Sequence, residues 1–256
     1  MKTLLGVAGA IAILAALPPT LSAQWPPHPT GAPRTAGGQV NLEAPTPKTP
    51  DGKPDLSGIW QADNGRYLEN LAGTGVQVPM HPWAAALYKE RQETLGRDKP
   101  QIRCMPHGVP DAMLIPGIPF KLIQTPNEVV VLYEEFNVYR QIFTDGRGLP
   151  NDPNPTWYGY SVGKWEGDTF VVETAGFKEG TWLDNGGYPH TDALHLTERF
   201  RRRSFGTMQL DVAIDDAKAY PKPWKSATIN FKLMPDTELI EHLCENEKDV
   251  PHLVGK

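Results

Sequence analysis

The sequence predicts a mainly β fold: a single antiparallel β-barrel, or a β-sandwich, with one N-terminal helical segment. Apolar and polar residues alternate with a period of two in the C-terminal half of the chain, which is typical of strands with one buried face. Turn signals such as Thr125-Pro126-Asn127 separate these stretches. The 24 glycines and 26 prolines among the 256 residues also argue against a helical bundle.

The first 54 residues contain two segments that we expect to lie outside the folded domain. A short positively charged start precedes an apolar run from Leu4 to Leu17 and then small residues, and this order predicts a secretory signal peptide over residues 1–23. The run is shorter than the roughly 20 residues of a membrane span, which favours a cleaved signal over a retained anchor. Residues 24–54 are rich in proline and poor in large apolar groups, which predicts a disordered tether.

We predict that residues 55–251 form the barrel domain. The pattern over residues 83–95 indicates a helix with Trp83, Leu87 and Tyr88 on its apolar side. Strands follow from residue 120, and because so many strands in one domain must protect their edges, a closed barrel is favoured over a sandwich. The predicted strands cover residues 58–60, 120–124, 128–133, 138–144, 157–165, 170–173, 192–201, 207–215, 226–233 and 238–245.

The chain has two cysteines, Cys104 and Cys244. An exported protein folds in an oxidising compartment, where two such thiols usually pair, and we therefore predict a disulfide. Two buried free thiols are the alternative.

The charge of the chain indicates which binding partners to expect. A net charge of −5 argues against nucleic acid, and the short basic run 199–203 is typical of a solvated strand end. We expect a small-molecule partner, membrane contact only during export through the signal peptide, and a periplasmic or secreted location. Phosphate loops and dinucleotide fingerprints are absent from the sequence, so we predict no cofactor.

The strand over residues 192–201 carries an acidic residue on its apolar face. Glu198 shares this face with Leu196 and Phe200, and Arg140 has similarly apolar neighbours on another strand. Because an unpaired buried charge costs several kcal/mol, we expect the two side chains to pair. The pair is either structural or part of a ligand-binding cavity inside the barrel.

The segment that leads into this strand holds a polar cluster. His190 is a candidate general base, with Asp184 or Asp192 to orient it, because a histidine near neutral pKa beside a carboxylate suits that role. The alternative is a loop held by ordinary hydrogen bonds. Asp192 and Glu198 are about 20 Å apart along an extended strand, which excludes a two-carboxylate glycosidase.

Aromatic residues offer a wall for a ring-shaped ligand. We assign Trp157, Tyr160 and Trp182 to ligand binding, with Tyr158 beside them, although aromatic residues in a barrel are often plain core. We predict no metal centre, because His190 and His195 lack the spacing of zinc hydrolases.

Two sets of motifs in the sequence resemble those of known protein families. Gly58-Ile59-Trp60 is similar to the Gly-x-Trp start of lipocalin-like barrels. The stretches Trp165-Glu166-Gly167-Asp168-Thr169 and His190-Thr191-Asp192-Ala193-Leu194-His195-Leu196-Thr197-Glu198-Arg199-Phe200 resemble a group of exported bacterial proteins. The resemblance implies export and a single domain, and it implies no particular reaction.

Three functions follow as hypotheses. The first is an exported barrel that binds a small apolar or aromatic ligand in its interior. The second is a cofactor-free periplasmic enzyme that uses the His190 cluster for acid–base chemistry. The third is a scaffold protein of the cell envelope.

Overall fold

The computed structural model describes residues 31–244, so the predicted signal peptide and residues 245–251 of the predicted domain lie outside the described part. As predicted, the chain is mainly β and forms a closed barrel. The helices are α1 (Arg66–Glu69), α2 (Pro82–Glu93) and two 3₁₀ helices (Pro100–Arg103 and Asp111–Met113). The strands are β1 (Gly58–Ala62), β2 (Phe120–Gln124), β3 (Glu128–Tyr133), β4 (Tyr139–Phe143), β5 (Tyr160–Glu166), β6 (Thr169–Ala175), β7 (His195–Arg202), β8 (Thr207–Asp215), β9 (Trp224–Lys225) and β10 (Ile229–Leu233).

Nine of the ten described strands close the barrel. Strands β1 to β8 follow one another around it, and β10 pairs with both β8 and β1, which joins the two edges of the sheet. The short β9 pairs with another part of β8. Neighbouring strands are antiparallel except β4 and β5, which run parallel. Alternation alone does not predict this exception, because parallel and antiparallel strands share a period of two.

The barrel interior is packed with large side chains. Along β7, Leu196 and Phe200 point inward and alternate with half-buried residues, as the sequence predicts. Trp60 of the Gly-x-Trp motif is fully buried, its Nε1 donates to the Leu56 carbonyl (2.9 Å), and the Arg202 guanidinium lies 4.9 Å from its ring centre. Phe120, Phe170 and Phe231 are also fully buried, and burial of these rings adds to the apolar free energy of folding.

The prediction of a disordered tether is wrong for residues 42–54, which have hydrogen bonds to the barrel. The backbone N–H groups of Phe205 and Gly206 donate to the carbonyls of Ala44 and Leu42, both at 2.7 Å, and Ala44 is buried. The Thr46 hydroxyl donates to the Arg202 carbonyl at 3.2 Å. A proline-rich segment needs few apolar contacts when the barrel supplies partners for its backbone, so composition alone misjudges it.

Two predicted elements differ from the structure. The helix at residues 83–95 exists as α2, but Trp83 is 44% exposed, and the buried side holds Ala84, with Tyr88 and Arg91 half-buried one and two turns later. The strand at 238–245 is absent from the described residues, where a single bridge joins His242 to Glu135. Residues 240–244 meet the turn between β3 and β4 instead of pairing along a strand.

The segment over residues 240–244, which we call the C-terminal strap, is fastened to the turn between β3 and β4. The predicted disulfide between Cys104 and Cys244 is present, with a Cα–Cα distance of 5.5 Å. The Ile240 N–H donates to the Glu134 carboxylate at 3.0 Å, and the Asn137 amide donates to the His242 carbonyl at 3.3 Å. Within residues 31–244, no helix is both long and apolar enough to cross a membrane.

Candidate functional site

Arg140 and Glu198 form an ion pair across the barrel interior, from β4 to β7. Their side chains are 1% and 0% exposed. Nη1 of Arg140 donates to Oε1 of Glu198 at 3.1 Å and Nη2 donates to Oε2, which gives the two-bond geometry that matches a guanidinium to a carboxylate. Alternation of buried and exposed residues on each strand places both charges on the inner face of the barrel. There each side chain neutralises the charge of the other.

Two hydroxyl groups on the intervening strands complete a buried polar layer. Nε of Arg140 donates to Ser161 on β5 at 3.0 Å, and Nη2 donates to Thr174 on β6 at 2.7 Å. Burial alone would lower the pKa of Arg140, but the Glu198 carboxylate outweighs it and raises the pKa above its ordinary value. The guanidinium is therefore charged at every physiological pH.

A cleft of about 480 Å³ opens in the barrel wall beside this layer. It arises because the parallel strands β4 and β5 pair only at Ile142–Ser161 and Phe143–Val162, so the chain segments before these pairs diverge. We call it the wall cleft. It is lined by residues 137–141 and 156–161, together with Pro106 and Phe143.

The wall cleft brings together three of the five predicted ligand-binding residues. Arg140, Trp157 and Tyr160 line it, and Tyr139, Phe143 and Tyr158 add further rings. Glu198 lies behind Arg140 and is absent from the lining. Trp182 is buried elsewhere, with the Arg91 guanidinium 4.3 Å from its ring centre. The predicted aromatic wall thus lies in the side of the barrel and excludes Trp182.

The structure does not join His190 to either predicted orienting carboxylate. Its Nδ1 lies 3.1 Å from the Thr191 carbonyl, and its Nε2 lies 2.6 Å from the Thr181 hydroxyl. A carbonyl only accepts, so Nδ1 carries the proton and Nε2 accepts from Thr181. Burial lowers the pKa of His190, and the neutral ring has no free lone pair for a substrate proton.

Asp184 and Asp192 have other roles. Asp184 is fully buried and accepts the backbone N–H groups of Leu71 (2.7 Å), Gly187 (2.9 Å) and Tyr188 (3.2 Å), so it holds the connection before β7 together. Burial raises its pKa to about 7. Asp192 is 58% exposed and contacts the Lys218 ammonium at 2.5 Å. It lies before β7 begins and has no place in a site with His190.

Sequence reasoning missed a buried charged cluster near the wall cleft. His107 lies between two carboxylates, with Nδ1 2.6 Å from Asp111 and Nε2 2.9 Å from Glu135. Burial alone would lower the pKa of His107, but the two carboxylates outweigh it and raise the pKa to about 9, so the ring is an imidazolium at neutral pH. The spacing of four residues between His107 and Asp111 was a sequence signal for their contact. The contact with Glu135 could not be predicted, because Glu135 is remote in sequence.

Two tyrosines lie between this cluster and the Arg140 layer. Tyr133 and Tyr158 stack with ring centres 5.0 Å apart, and Tyr158 reaches the wall cleft. Burial raises the pKa of Tyr133 to about 12 and that of Tyr158 further, so both are neutral phenols at physiological pH.

In the described part of the chain, no group of three or more histidine, cysteine, aspartate or glutamate side chains is arranged to hold a metal ion. Compared with known proteins, the chain matches no family model, no curated protein and no solved structure. Function must therefore be argued from the site itself.

Proposed function

We propose that the protein is an exported β-barrel that binds a small aromatic ligand in the wall cleft. The observation that carries this proposal is a cleft of about 480 Å³ lined by five aromatic side chains. Ligand sites typically have volumes of about 300–1,000 Å³, with aromatic walls and a few polar groups that fix orientation. The amides of Asn137 and Gln141 are polar groups of this kind.

Position in the fold also supports binding in the wall rather than in the barrel interior. The interior holds packed rings and the paired Arg140 and Glu198. The wall cleft instead opens where two strands diverge, so a ligand enters without displacing core side chains. Both nitrogens of His190 already have partners, and we therefore propose binding rather than His190-based catalysis.

Export is the second part of the proposal. It is supported by the apolar run at Leu4–Leu17, by the disulfide, and by the resemblance of the Trp165–Thr169 and His190–Phe200 motifs to exported bacterial proteins. The test is the intact mass of full-length protein expressed in a Gram-negative host and recovered from the periplasm. We expect a chain that begins at Gln24 and carries one disulfide. A chain that retains residue 1 and stays in the cytoplasm would contradict export.

Calorimetric titration with methyl 2-naphthoate, an uncharged aromatic ester, tests the binding proposal. We expect the Trp157→Ala and Tyr160→Ala variants to bind at least tenfold more weakly than the wild type, a loss of about 1.4 kcal/mol or more. Each substitution removes ring area from the cleft, and both rings are only half-buried, so we expect the variants to fold.

Trp83→Ala is the matched control, because Trp83 is an exposed ring on α2 that does not line the cleft. Its affinity should stay within twofold of the wild type. If methyl 2-naphthoate does not bind, or if Trp157→Ala binds as tightly as the wild type, the wall cleft is not an aromatic-ligand site.

A further inference from the structure

Charge is distributed unusually around the wall cleft. Among its described lining residues, Arg140 alone carries a charge at neutral pH. Its charge is neutralised from behind by Glu198, which faces the packed interior and has no exposed surface. Behind the cleft therefore lies a buried ion pair whose net charge is zero, with the Arg140 side chain only 1% exposed.

The hydrogen-bonding capacity of Arg140 is also nearly used up. A guanidinium has five N–H groups. Glu198 takes two of them, Ser161 takes one and Thr174 takes one. One N–H group on Nη1 remains, but the Arg140 side chain is only 1% exposed, so an incoming carboxylate would lose its water and gain at most this one buried donor.

Two cations at the edge of the cleft, Arg147 and Lys178, offer little attraction to a carboxylate in the cleft. The Arg147 guanidinium is bonded to Asp145 at 2.6 Å and lies 4.0 Å from the ring centre of Phe143. Lys178 lies 5.2 Å from the ring centre of Trp157, but it is exposed, and a hydrated surface ammonium contributes little.

We infer that Glu198 determines the charge class of the ligand: by neutralising Arg140 it makes the wall cleft accept uncharged aromatic molecules and reject aromatic carboxylates. This inference rests on the proposed function, because it concerns the same cleft. Glu198 would then control which ligands bind although it does not touch the ligand itself.

A consequence follows for a chain that lacks the Glu198 charge. In Glu198→Gln the side chain keeps its shape, but Arg140 becomes a buried cation without a counterion beside the cleft. A bound aromatic carboxylate would supply that counterion. The variant should therefore gain affinity for the anion while its affinity for the uncharged ester changes little.

The experiment measures the affinities of methyl 2-naphthoate and 2-naphthoate, which share one ring system, for wild type and variants. We expect the wild type to prefer the ester at least tenfold, and we expect this preference to fall at least tenfold in Glu198→Gln. Glu166→Gln is the matched control, since Glu166 is a partly exposed carboxylate that pairs with Arg199 and does not line the cleft. It should keep the wild-type preference.

The double variant Arg140→Met/Glu198→Leu covers the case in which Glu198→Gln does not fold. It replaces the ion pair with apolar side chains that carry no charge, so it should prefer the ester as strongly as the wild type. The inference is overturned if the carboxylate binds to the wild type or to the double variant as tightly as the ester, or if Glu198→Gln keeps the wild-type preference. If the wild type does not bind the ester, or if Trp157→Ala binds it as tightly as the wild type does, the proposed function is overturned instead.

Discussion

At the scale of single residues, the barrel tolerates charges in its interior only where partners surround them. Arg140 and Glu198 are both nearly fully buried, and each satisfies the other. Removal of one partner from such a pair typically costs about 3–5 kcal/mol, whereas replacement of both by apolar groups is often neutral. The pair is therefore weak evidence for added stability, and the role that we propose for it is in ligand specificity.

His107 gives a residue-scale prediction about pH. Its pKa is about 9 in the folded protein and near 6.5 when unfolded. Below pH 6.5 the ring is protonated in both states, and between pH 6.5 and 9 only the folded chain keeps the proton. The stabilisation is therefore complete below pH 6.5 and is lost as the pH rises through 9. We expect it to amount to about 3 kcal/mol.

Urea unfolding at pH 6.5 and pH 9.5 measures this loss. The His107→Gln variant should lack most of it, because glutamine does not titrate. His195→Gln changes a histidine on the outer face of β7 and should retain the full difference. Equal pH dependence in wild type and His107→Gln would show that the two carboxylates do not hold a proton on this ring.

At the scale of elements, the wall cleft depends on the short contact between β4 and β5. Only two residue pairs join these parallel strands. Gly159, just before β5, has a φ of +68°, and a Cβ at this position would lie 2.6 Å from the Thr174 methyl carbon. The backbone therefore approaches β6 closely here, on one side of the cleft, and a larger residue at position 159 would clash with Thr174.

The C-terminal strap gives an element-scale prediction. The Cys104–Cys244 bond closes a loop over a sequence separation of 140 residues, and removing such a bond typically lowers the free energy of unfolding by about 2–5 kcal/mol. We expect a loss in this range for the Cys104→Ser/Cys244→Ser double variant, measured by urea unfolding without reductant. Reductant should bring the wild type close to the variant. An unchanged unfolding free energy in the double variant would mean that hydrogen bonds alone hold the strap.

At the scale of the whole molecule, the closed barrel could be predicted from the sequence because its strands alternate cleanly. The pattern Leu196, Glu198 and Phe200 identified the inner face of β7, and with it the buried carboxylate. The same pattern on β4 identified Arg140 as its partner. The disulfide followed from the count of two cysteines in a chain with a predicted signal peptide.

Other features could not be predicted because they depend on which elements meet in space. Trp182 and His190 looked like site residues in a polar segment, yet each lies buried among its own partners. The cluster of His107 and Glu135 joins residues 28 positions apart. The wall cleft arises from strand divergence, which no local pattern records.

The most direct test of the central claim is a backbone amide NMR titration of the protein with methyl 2-naphthoate. We expect the largest chemical-shift changes at residues 137–143 and 156–161, on the two sides of the wall cleft. Changes confined to other parts of the barrel, or none at saturating ester, would contradict the assignment of this cleft as the ligand site.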